Sequence, residues 1–136
     1  MEYSVYEQLK LVVEVCQEVL NENLISIILL GSTARGDFND YSDVDVCLVV
    51  KEYPKEDWKV GGMIKSKCLS KGISKCVEPI FLDEGDLNIP SPILYEISKD
   101  GQTIFGSDIL MELQTLCAQV KPIFTEEGKK IGWQIA

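Results

Sequence analysis

Apolar residues recur at helical spacing from Tyr3 to Asn21, where Val5, Leu9, Val12, Val13, Cys16, Val19 and Leu20 alternate with Glu and Lys. This predicts an amphipathic helix, which Asn21-Glu22-Asn23 ends. The pattern then changes. Leu24 to Leu30 is an unbroken, isoleucine-rich apolar run, as expected of a strand buried on both faces. Gly31-Ser32 stops it, and Ala34 to Asp40, with Gly36, Asn39 and Asp40, reads as a short turn or loop. Val44 to Val50 is a second buried strand, ended by Lys51-Glu52-Tyr53-Pro54. A helix is predicted from Lys55 to Ser70, weakened by Gly61-Gly62 and closed by Lys71-Gly72. Cys76 to Leu82 reads as a third strand whose single acid is Glu78. Ser91-Pro92 opens a helix through Ile97 that closes at Asp100-Gly101. Thr103 to Phe105 is a short strand, and Asp108 to Val120 a last helix. Beyond Pro122, Glu126 to Trp133 reads either as a short docking helix or as a frayed end.

The order α-β-β-α-β-α-β-α predicts an α/β (α+β) fold, a mixed sheet of about four strands packed against helices. No repeat or low-complexity segment divides the 136 residues, 46% of them hydrophobic, which suffice for one domain with a full core. The core is expected over residues 3–106, followed by a C-terminal helix and tail over 107–136. No apolar run approaches the roughly 20 residues of a membrane span. Glu2 and Glu7 make the start unlike a signal peptide, so a cytoplasmic protein is expected.

Charge and residue inventory narrow the chemistry. Thirteen basic against 22 acidic residues give a net charge of −9, a field that disfavours tracking along a nucleic-acid backbone and suits divalent cations or a basic partner. Histidine is absent, so triads and imidazole acid–base catalysis are excluded. Five cysteines, Cys16, Cys47, Cys68, Cys76 and Cys117, include no C-x-x-C pair, which argues against zinc and for reduced, buried thiols. Cys68 alone lies outside an apolar context, and a Cys68–Cys76 pairing is the alternative. Any chemistry therefore falls to carboxylates, lysines, arginines or hydroxyls.

One stretch, Gly31 to Asp45, concentrates such groups. A buried strand delivers the chain to Gly31 and Ser32, where glycine allows close approach of a ligand and the following N–H groups and hydroxyl suit a phosphate. Asp43 and Asp45, two apart at the start of the next strand, share a face. Paired carboxylates repel unless a cation lies between them, and magnesium takes one or two carboxylates together with substrate phosphates. Glu78 can add a third carboxylate if its strand lies beside the second, which would make a two-metal phosphoryl-transfer site; Asp83 is the fallback. Arg35 either contacts phosphate or pairs with Asp37 or Asp40, themselves otherwise solvated loop acids. Lys65, Lys67 and Lys71 read as the wet face of a helix, and Trp58 and Trp133 as packing or interface residues.

This pattern resembles the DNA polymerase beta superfamily of nucleotidyltransferases, in its minimal stand-alone branch. The signature is Gly-Ser, ten residues, then Asp-x-Asp, met here by Gly31-Ser32, Thr33 to Ser42 and Asp43-Val44-Asp45. Ala34-Arg35-Gly36 and Val77-Glu78-Pro79-Ile80 extend the likeness, which covers roughly Tyr3 to Gly106. The resemblance implies nucleotide binding by Gly31, Ser32 and Arg35, and catalysis by Asp43, Asp45 and Glu78 holding two magnesium ions. It implies transfer of AMP from ATP, or of another nucleotide from its triphosphate, to a hydroxyl. The family expectation for the acceptor is a tyrosine of a small helical HEPN-type partner, as in a toxin–antitoxin pair. Two alternatives stay open: a non-catalytic antitoxin or scaffold that neutralises such a partner by binding, and a small-molecule, antibiotic-type nucleotidyltransferase whose acceptor site a homo-oligomer could complete.

Overall fold

The computed structural model describes residues 4–118 and 120–135, the last stretch partly by backbone alone. Ser4 caps α1 (Val5–Leu20), its side chain accepting from the Glu7 N–H at 3.2 Å. The chain continues through β1 (Leu24–Leu30), α2 (Gly31–Arg35), β2 (Val44–Val50), α3 (Asp57–Ser70) and β3 (Val77–Asp83). It closes with α4 (Pro92–Asp100), β4 (Gln102–Gly106), α5 (Leu110–Leu116), β5 (Val120–Phe124) and β6 (Lys130–Ile135). Both continuous apolar runs are strands with the expected limits. Tyr3, where the first helix was expected to begin, lies outside the described residues.

Four strands form one mixed sheet in the order β3-β2-β1-β4. β1 is antiparallel to both β2 and β4, and β2 is parallel to β3. Alternation along the strands sends side chains to two cores. Ile27, Leu29, Val44, Val46, Leu48 and Phe81 pack with α1 and α3. Ile28, Leu30, Cys47, Val49 and Leu82 pack with Leu94 and Ile97 of α4 and Leu113 of α5. Central strands buried on both faces explain the unbroken apolar runs.

Three expectations need correction. Ala34 to Asp40 is not all loop: α2 occupies Gly31–Arg35 and stops at Gly36, whose φ of 86° is the left-handed helix end. Five residues are too few for a periodic signal. The last helix stops at Leu116 rather than Val120, and the tail is a two-stranded antiparallel β5–β6 sheet, neither helix nor frayed end. Its turn is closed by the Gly128 N–H on the Thr125 carbonyl at 2.9 Å, with Gly128 at φ +87°. The Trp133 side chain lies outside the described residues. All five cysteines are free, and Cys68 is buried while Cys76 is exposed, so the alternative pairing is not formed.

β4 crosses β1 very closely at Gly106. It has φ +80°, and a Cβ there would overlap the Ile25 carbonyl oxygen and lie 2.9 Å from Ser26 Cα. Gly106→Ala is therefore expected to cost about 3 kcal/mol, combining left-handed strain with displaced backbone. Urea denaturation checks this: the midpoint should fall at unchanged slope, and an unmoved midpoint would contradict the close approach.

Candidate active site

The two aspartates stand where β2 begins. Asp45 alternates with Cys47 and Val49 and so belongs to the face covered by α4 and α5, while Asp43 immediately precedes the strand and acts on Asp45 as a negative neighbour. Glu78 alternates with Ile80 and Leu82 on that same face, and Asp45 and Glu78 are register partners on adjacent parallel strands. Sheet order thus brings Glu78 beside Asp45. Asp83 falls on the opposite face as the partner of Val50, and exchanges hydrogen bonds with Asp86 at 2.9 and 3.0 Å, closing a turn.

The Gly-Ser turn meets the aspartates through β1, whose last residue, Leu30, pairs with Asp45. Gly31 then takes φ +66°, and a Cβ there would stand 2.8 Å from Asp45 Oδ2. A side chain at this position would intrude on the carboxylate, so glycine keeps the space before it clear. Thr33 Oγ1 donates to the Asp43 carbonyl at 3.2 Å, tying α2 to the start of β2. The loop between them is held from outside, with Lys75 Nζ donating to the Asn39 carbonyl at 2.7 Å and the Ser42 carbonyl at 3.3 Å. Ser32 sits in the first turn of α2, directly after Gly31.

Asp45 titrates above the ordinary aspartate value, chiefly because burial penalises its charge, then because Asp43 and Glu78 are negative neighbours. Glu78 is held below the usual carboxylate range by a hydrogen bond from Cys76 Sγ at 3.2 Å and by Lys65, whose Nζ lies 3.0 Å from Oε2. As placed, the acids are not a ready-made cage: among the described residues no three Asp, Glu or Cys side chains could hold an ion by themselves. The donor set nevertheless fits magnesium shared with phosphate oxygens. Asp43 and Asp45 supply hard oxygens, with mutual repulsion that a cation relieves.

A small cavity of about 200 Å³ opens before Asp45, lined by Gly31, Arg35, Ile80, Ile93, Glu96 and Asp100 among others. Arg35 donates to Asp37 at 3.2 Å and lies 3.7 Å from Asp100, so it forms the carboxylate pairing while also lining this cavity. Asp37 is accordingly paired rather than merely solvated. Lys67 and Lys71 pair with Glu18 of α1, but Lys65 reaches round the sheet edge to Glu78. Lys65, Glu96 and Asp100 carry no signal of this placement in the sequence, because only strand order and helix placement bring them to Asp45 and Glu78.

A mixed sheet that sets a glycine-led turn against clustered carboxylates is a scaffold for nucleotidyl transfer. The family profile described as a nucleotidyltransferase domain matches residues 9–107. A Methanocaldococcus jannaschii protein, named as an inferred protein adenylyltransferase, is 32% identical over 132 residues, covering 89% of this chain and 87% of its own. A second from that organism, with the same kind of name, is 37% identical over 75 residues, covering 48% of this chain and 76% of its own. Spectinomycin adenyltransferase AAD(9) from Enterococcus faecialis, solved with ATP and spectinomycin, superposes with TM-score 0.66 at 17% identity. That match covers 81% of this chain but only 59% of the enzyme. A chain of a toxin–antitoxin structure with AMP-PNP gives TM-score 0.58 at 17% identity, covering 80% of this chain and 89% of its own. The chain belongs to the nucleotidyltransferase domain family, as an adenylyltransferase-like enzyme, in keeping with Gly31-Ser32 and Asp43-x-Asp45. Among the described residues no helix is long and apolar enough to cross a membrane.

Proposed function

We propose that this enzyme transfers AMP from ATP, with magnesium, to a hydroxyl of a partner protein. The observation that carries this reading is the register pairing of Asp45 with Glu78, with Asp43 as a second charged neighbour, beside a glycine that leaves Asp45 uncovered. The name of the Methanocaldococcus jannaschii relative supports the protein acceptor, and nucleotide-bound neighbours of the same fold support the donor.

In this reading Asp43 and Asp45 hold the first ion and Glu78 contributes to the second. Magnesium, when bound, neutralises phosphate charge and orients the transferred group. Gly31 and Ser32 cradle the outer phosphates, and Arg35 turns from Asp37 and Asp100 toward them. Glu78 exchanges its Lys65 contact for the acceptor hydroxyl and takes its proton. The acceptor oxygen bonds to the α-phosphorus, the bond from that phosphorus to the bridging oxygen breaks, and pyrophosphate leaves. Holding these groups in line supplies much of the rate, and no histidine is needed. We take the partner to be a small helical HEPN-type protein and the pair to act as a toxin–antitoxin module.

Incubation with radiolabelled ATP and the product of the adjacent gene tests this. Label should appear on the partner as whole AMP units by intact mass, only with a divalent ion present. Efficient labelling of an aminocyclitol by the isolated enzyme, with the partner unmodified, would overturn the protein acceptor.

A further inference from the structure

Trp58 has no core role: it is 75% exposed, on the side of α3 that faces the edge strand β3. Between them runs a groove of about 410 Å³ in which Trp58, Gly61, Gly62 and Lys65 face the Glu78–Phe81 stretch. Glu78 stands in this groove while its register partner Asp45 lines the smaller cavity, and Ile80 is common to both walls. Two spaces therefore meet at the carboxylates from opposite sides. One holds Gly31 and Arg35, as a donor phosphate requires; the other reaches Glu78 alone.

Helix α3 is itself shaped for an occupant. Glycine within a helix destabilises it relative to alanine. Gly61 recovers little of this, since a Cβ would meet Pro79 Cγ at 3.5 Å, an ordinary van der Waals contact. Gly62 recovers none, because a Cβ there would meet nothing within 4 Å. Its effect is to leave the groove open between Trp58 and Lys65. Pro79 removes one N–H from β3, which speaks against an added strand and for an occupant held by its side chains. The charge here is acidic: Asp57 and Glu78 stand against Lys65, which Glu78 already engages at 3.0 Å, in a chain of net charge −9. An exposed indole in an acidic setting matches an arginine or lysine lying over its face.

We propose that the α3–β3 groove is the docking surface for the protein acceptor, a segment with a basic residue over Trp58 and its reacting hydroxyl beside Glu78. This rests on the transfer of AMP to protein proposed above, and adds where the acceptor lies and what chemistry selects it.

Three synthetic peptides with one central tyrosine, flanked by Lys and Arg, by Ser and Gln, or by Asp and Glu, test it with ATP and magnesium, read by mass spectrometry. The basic peptide should gain AMP about tenfold faster than the acidic one. Trp58→Ala and Gly62→Met should each remove most of that advantage while ATP with magnesium still raises the melting temperature as in the wild type. Equal rates on the three peptides, no modification of any, or an undiminished preference in Trp58→Ala would overturn the groove. A wild-type protein that ATP and magnesium fail to stabilise would instead remove the nucleotide reading beneath it.

Discussion

Asp43→Asn and Asp45→Asn are each expected to lower AMP transfer by a factor of about 1,000 or more. A carboxylate that shares a cation with phosphate supplies several kcal/mol of charge stabilisation in the transition state. The same variants should lose the divalent-dependent rise in melting temperature that ATP gives the wild type. Stability without ligand should move the other way for Asp45→Asn. The folded protein raises the Asp45 pKa, first by burial and then through Asp43 and Glu78, so it binds that proton more readily than the unfolded chain. Its contribution to stability is present at low pH and lost as the pH rises through the raised value. At neutral pH the ionised carboxylate therefore costs stability, and the amide removes the cost. Thermal unfolding should show Asp45→Asn at or above wild type near pH 7, with the difference shrinking as the pH falls toward the ordinary value of 3.8. A variant less stable than wild type at pH 7, or one still stabilised by ATP and magnesium, would contradict the role assigned to this carboxylate.

Gly31→Ala should separate fold from function. Its φ of +66° makes any side chain strained, by about 1–2 kcal/mol. The added Cβ would stand 2.8 Å from Asp45 Oδ2. That atom ends a short side chain, so the carboxylate can yield and the protein should still fold. A displaced Asp45 no longer meets its cation in the same geometry, and small misplacements are known to cost about 100-fold in rate. The expected result is a modest fall in melting temperature with near-complete loss of transfer. Transfer at the wild-type rate would show that the space before Asp45 is not used.

The parts of this site that were legible in the sequence are those that lie close together along the chain. Gly31, Ser32, Asp43 and Asp45 sit between two unbroken apolar runs whose limits, Leu24–Leu30 and Val44–Val50, are the strand limits. A strand buried on both faces writes its ends plainly, because polar residues return where burial stops. Glu78 was readable as a candidate but not as a neighbour of Asp45, since adjacency of β3 and β2 is a matter of sheet order. Lys65 reads as a solvated lysine in the sequence because helical spacing carries nothing about a reach round the sheet edge. The β5–β6 hairpin was missed for a different reason. Its strands contain Pro122 and Gly132, which weaken a strand pattern, and its sheet has only two strands.

The strand order also sets a timetable for assembly on the ribosome. β1 and β2 pair across a short connection, so Gly31 and Asp45 can meet once residue 50 is free of the exit tunnel. The other edge of β1 must wait: Ser26 pairs with Gly106, most of the domain later, a pairing of high sequence separation. Until then a strand of sequence LISIILL stands with one flank open. Such an edge invites pairing with another nascent chain. Chains truncated before β4 should therefore sediment as aggregates to a greater extent than the full chain.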